Sequence, residues 1–163
     1  MLNRLVKSTC FILLFSSYSC TTNHPKVELA KGIFSYQTKE DFKKTNPSAH
    51  FKEVRNNIQN AYLDFEFYDM KISAEITFCK NLLMCIDIHP DIFSNNSYRN
   101  IITKLNKEKS IDIEFGNIQY KDEVGYALIY DFIKPVLGHD TIIRLFHKEI
   151  DLENKVNYYC NCK

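Results

Sequence analysis

The stretch "LDFEFYDMKISAEITFCKNLLMCIDIHP" (Leu63–Pro90) alternates almost throughout. Leu63, Phe65 and Phe67 interleave with Asp64, Glu66 and Tyr68, and Ile72, Ala74, Ile76 and Phe78 interleave with Lys71, Ser73, Glu75 and Thr77. A period of two marks strands with one face buried, and the parity break at Asp69-Met70-Lys71 places a tight turn between them. Leu82, Met84, Ile86 and Ile88 continue as a third strand, with Leu83, Cys85 and Asp87 on its other face, until Pro90 stops it. Short turns between successive strands imply antiparallel pairing.

Outward from this meander the pattern changes. Phe51, Val54, Ile58 and Ala61/Tyr62 recur at spacings of three and four, which predicts an amphipathic helix over 49–62 after Ser48. Before it, Lys31–Thr38 reads as a short strand and Lys39–Ser48 as a helical turn and loop ended by Asn46-Pro47. Tyr98, Ile101, Ile102 and Leu105 form the stripe of a second helix over 96–108. Ile111, Ile113 and Phe115 alternate with Asp112 and Glu114. Val124–Ile133 is apolar on both faces, which suits a central strand, and Thr141–Glu149 and Lys155–Cys162 complete the strands. The expected fold is α+β: a largely antiparallel sheet of about six to eight strands with two main helices on one face.

The chain has 163 residues, 45% hydrophobic and 25% charged, a globular composition that suits one domain. Its 21 basic and 20 acidic side chains are interspersed, so the positive field that nucleic acid requires is missing. The four glycines, Gly32, Gly116, Gly125 and Gly138, are too scattered for a phosphate-cradling loop.

The first 23 residues carry an address. Arg4 and Lys7 are the positive start, Cys10–Phe15 ("CFILLF") is a short apolar run, and Ser16–Ser19 supplies small residues before Cys20. That is the layout of a secretory signal peptide, and the run is far short of the roughly 20 residues that span a bilayer. Ser19-Cys20 followed by Thr21-Thr22-Asn23 resembles a bacterial lipoprotein signal. The resemblance implies that the Cys20 thiol receives a diacylglyceryl group before cleavage, and that Thr21, in place of the aspartate that retains enteric lipoproteins at the inner membrane, directs the protein to the outer membrane. The pattern departs at Ser17, where a leucine-like residue is usual, and at the bulky Tyr18. Cleavage after Ser19 by an ordinary signal peptidase, giving a secreted protein, stays open. On this reading residues 1–19 are the signal, 20–31 a polar tether and 32–163 the domain.

Export bears on the cysteines. With Cys10 in the signal and Cys20 lipidated, Cys79, Cys85, Cys160 and Cys162 remain, and an oxidising compartment makes them candidates for disulfides rather than metal ligands. Cys160 and Cys162 leave a strand on one face about 7 Å apart, too far for easy bridging, so the C-terminal strand is expected to be stapled to the Cys79–Cys85 region.

Candidate chemistry is sparse. Asp87, His89 and Asp91 could form an acid–base or metal cluster, but a polar strand end before a proline turn explains them as well. His139-Asp140 and His147 have no nucleophile elbow to serve, and Asp64 and Glu66 resemble a solvated strand face. Asn95-Asn96-Ser97 is an N-glycosylation acceptor pattern, relevant only in a eukaryotic or viral source. The expected function is therefore a membrane-anchored envelope lipoprotein that binds a protein partner, as an assembly, immunity or inhibitor module, with no cofactor, metal or nucleic acid. The alternatives are a small hydrolase using His89 or His139, and a secreted effector or viral host-interaction protein.

Overall fold

The computed structural model describes residues 24–55, 57–89, 95–131 and 140–150. Among them the chain is α+β and mainly β: a seven-stranded antiparallel sheet, a two-stranded sheet and two helices. The order is β1 (Glu28–Ala30), β2 (Ile33–Phe34), α1 (Lys39–Thr45), β3 (His50–Arg55), β4 (Ile58–Phe67), β5 (Met70–Cys79), β6 (Leu82–His89), α2 (Asn95–Lys109), β7 (Ile118–Lys121), β8 (Val124–Asp131) and β9 (Asp140–His147). The large sheet runs β3-β4-β5-β6-β9-β8-β7, so β6 is its middle strand.

The β4–β5–β6 meander follows from its turns. Tyr68 and Asp69 both take positive φ (51° and 62°), as do Lys80 and Asn81 (46° and 73°), the backbone twist that two-residue hairpins require. Alternation then sends Ala61, Leu63, Ala74, Ile76 and Ile86 to one face. A bulge between Thr77 and Phe78 leaves Met84 unpaired in β6, so Leu83, Ile86 and Ile88 are the core residues, rather than the expected Leu82, Met84, Ile86 and Ile88.

Both helices cover that apolar face. Phe42 of α1 and Ile101 and Leu105 of α2 are essentially fully buried in one cluster with Ile76, Phe78, Ile86, Ile143 and Leu145. α1 is capped by Thr38, whose Oγ1 accepts the Asp41 backbone N–H at 3.2 Å. α2 ends at Ser110 in the left-handed region (φ 53°), with the Ile111 N–H returning to the Asn106 carbonyl at 3.1 Å.

Three expectations are corrected. The segment 49–62 is not a helix but the β3–β4 hairpin, with Phe51 opposite Ala61 and Lys52 opposite Asn60. Its helical spacing arises because a bulge between Glu53 and Arg55 and a turn at Asn57 (φ 67°) each shift the period of two. Ile111–Phe115 forms no strand; only Phe115 makes an isolated bridge, to Leu128, while Ile113 is buried. Residues before 32, expected as tether, also pack into the domain: Leu29 and Ala30 are in the main core, and β1 pairs with β2. The expected strand at Lys155–Cys162 lies outside the described residues. β8 is an interior strand between β9 and β7, and its Val124–Leu128 segment is buried. No helix among the described residues is long and apolar enough to cross a membrane.

Candidate functional site

The second face of the large sheet is where polar side chains converge. Register puts Asn60, Tyr62 and Asp64 of β4, Ser73, Glu75 and Thr77 of β5, Cys85, Asp87 and His89 of β6, and Arg144 of β9 on this one surface. At its centre Asp87 and Arg144 face each other directly across β6 and β9. Arg144 Nε donates to Asp87 Oδ1 and Nη2 to Oδ2, both at 2.6 Å, with the Arg144 and Asp87 side chains 5% and 7% exposed. The planar guanidinium thus occupies both carboxylate oxygens. Beside this pair the Asn60 side chain, also buried, donates to Glu75. Burial and the Glu75 charge raise the Tyr62 hydroxyl above its ordinary range. Asp64 accepts the Ser73 hydroxyl at 2.6 Å in the open part of the face.

Toward β8 the same face turns apolar. Cys85, Phe146 and Ala127 pack there with Tyr36 and Ile150. Gly125 lies opposite Phe146 so closely that a Cβ would meet its ring at 2.3 Å. His147 stands at the edge of this cluster with no exposed side-chain surface. Its Nδ1 accepts the Glu149 backbone N–H at 3.1 Å, so the neutral ring carries its proton on Nε2, 3.8 Å from Glu123 Oε2. Tyr36 tilts against that ring at 5.3 Å and stacks on His24 at 4.3 Å. Burial, then the Glu149 charge, raises the Tyr36 hydroxyl above its usual value.

The sequence candidates separate in this arrangement. Asp87 is consumed by Arg144, and His89 stands at the end of β6 opposite Ser73. Asp64 and Glu66 lie on the solvated part of the polar face. His147 is enclosed, so no substrate reaches its ring. Asp91 and His139 lie outside the described residues, as do Cys20, Cys160 and Cys162. Cys79, at the end of β5, is disulfide-bonded, and no described residue is its partner. Cys85 carries a buried thiol instead of the expected bridge. It lies opposite Thr77, two positions along β5 from Cys79, a diagonal of about 7–8 Å that exceeds disulfide reach.

No three His, Cys, Asp or Glu side chains among the described residues are placed to hold a metal ion. The central pair went unread in the sequence, although a signal existed. Asp87 in "LLMCIDIH" and Arg144 in "TIIRLFH" are lone opposite charges inside two otherwise apolar strands. Such charges are buried only when paired. No protein-family model, curated protein or solved structure matches the chain.

Proposed function

We propose that this chain is an exported lipoprotein of a bacterial envelope, anchored through Cys20, whose sheet domain binds another protein without catalysing a reaction. The observation that carries the reading is the N-terminal arrangement: a basic start, a short apolar run and Ser19-Cys20, with the first core residues, Leu29 and Ala30, close behind. A disulfide at Cys79 supports an oxidising compartment. The engagement of Asp87 by Arg144 and the enclosure of His147 favour binding over acid–base chemistry. An immunity or inhibitor module, with the edges β3 and β7 as docking lines, is the form that best suits so small an antiparallel sheet. Its location is the outer membrane, facing the periplasm or the cell surface.

Intact-mass spectrometry of the protein recovered from membranes tests the anchor. The expected N-terminus is Cys20 bearing a diacylglyceryl thioether and an acylated amine. A mature N-terminus at an unmodified Cys20 or Thr21 sinks the reading.

A further inference from the structure

We propose that the end of the sheet carrying His24, Tyr36 and His147 rests against the membrane surface, so that the domain is docked in one orientation instead of hanging freely. The proposal rests on lipid attachment at Cys20. From His24 onward the chain is fixed to the fold. The His24 ring stacks on Tyr36 at 4.3 Å with an interplanar angle of 18°, and Tyr36 is 8% exposed. The Tyr36 backbone N–H donates to the Leu83 carbonyl at 2.8 Å, at the start of β6. Val27 and Ser35 are joined twice: Val27 N–H to Ser35 Oγ at 3.0 Å, and Ser35 N–H to the Val27 carbonyl at 2.8 Å.

Four Cα steps separate Cys20 from His24, a reach of at most about 14 Å. A lipidated cysteine starts at the hydrocarbon boundary, and the headgroup layer takes up roughly 5–8 Å of that reach. Little remains to lift the domain. The ten-residue strands β4 and β5, by contrast, are each about 33 Å long. The tether is therefore shorter than the body it holds, and the two ends of the sheet cannot exchange places without the domain turning over against the bilayer.

The membrane-side end is defined by the topology. It carries the β5–β6 turn (Lys80, Asn81), the β7–β8 turn (Asp122, Glu123) and the residues that follow β9 (Lys148–Ile150). The Lys148 N–H donates to the Glu123 carbonyl, which ties two of these together beside His147. The β4–β5 turn at Tyr68–Asp69 is at the opposite end. Among the described residues both signs are mixed at the near end: Lys39, Arg55, Lys80, Lys121 and Lys148 stand with Glu40, Asp122, Glu123 and Glu149, and Lys148 pairs with Glu123 at 2.5 Å. This is no polybasic patch, so the orientation comes from tether length and is the same on neutral and anionic lipid.

The test uses the full mature protein, isotope-labelled and placed in phosphatidylcholine nanodiscs containing a headgroup spin label, with the acyl chains first verified by mass. Amides of Lys121–Glu123 and Lys148–Glu149 are expected to lose several-fold more intensity than those of Tyr68 and Asp69. A long Gly-Ser insertion after Asn23 should abolish that difference while leaving the fold's chemical shifts unchanged. Equal or reversed loss at the two ends of the acylated protein overturns the proposal. A mass without acyl chains removes the anchor reading itself, and the docked orientation falls with it.

Discussion

The two faces of the large sheet are built on different physics. The face under α1 and α2 is closed by aliphatic and aromatic side chains, Ile76, Phe78, Ile86, Ile143 and Leu145 among them. Each contributes in proportion to the area it removes from water and to how well its neighbours fill the space. The opposite face buries Asp87 and Arg144, whose desolvation consumes much of what their attraction returns. The apolar face therefore loses stability with every truncation, whereas the polar face is vulnerable chiefly when one partner is removed and the other is left behind.

That contrast yields the largest expected effect. Arg144→Met leaves the Asp87 carboxylate buried without its guanidinium, at a cost of about 3–5 kcal/mol. Adding Asp87→Leu should recover most of the loss. Urea unfolding of both variants checks this, and a double variant no more stable than the single one would break the comparison. On the apolar side, Ile76→Ala should cost about 2–5 kcal/mol with no single partner substitution able to restore it.

The disulfide gives the next effect. Reduction should lower stability by about 2–4 kcal/mol, with the sensitivity kept in Cys85→Ala and lost in Cys79→Ala. Loss of the reductant effect in Cys85→Ala would show that the bridge involves the wrong cysteine.

The smallest effect lies at α1, outside the sheet. Glu40 is held below the ordinary carboxylate range first by its hydrogen bond from Asn81, and Asp41 first by its bond with Thr38. Lowered folded values mean that their stabilisation is present above the unfolded carboxylate range of about 4 and fades as pH falls through the folded values. Glu40 is exposed and Asp41 about half exposed, so acid should loosen α1 slightly while the β6–β9 pairing stays intact, as amide exchange in the two elements will show.

The sequence disclosed the meander because β4 and β5 alternate strictly and the turn between them falls at the parity break, although the bulge at Thr77–Phe78 shifts the inward residues of β6. It misled at 49–62 because two local events, the bulge before Arg55 and the turn at Asn57, shift the apolar residues into a spacing that imitates a helix. Asn56-Asn57 was the available turn signal. α2 was legible from Ile101 and Leu105, which the structure buries. Of the polar centre only the two lone charges were legible; their contact was not, since it depends on which strands become neighbours, and alternation within a strand carries no information about that.

The placement of β6 has a consequence for the order in which the chain can mature. β6 can pair with β5 as soon as the meander is free to fold, but its other side waits for β9, more than fifty residues later. Until then a strand rich in Leu and Ile presents open backbone to any other chain, the situation in which sheets join intermolecularly. Asp87 sits in the middle of that waiting edge. Before Arg144 arrives its charge repels a second copy of the same strand, which would place like charge beside like, and afterwards the same carboxylate admits the one strand that brings the matching guanidinium. A residue whose pair adds little net stability to the finished sheet thus guards the interval before the sheet is finished.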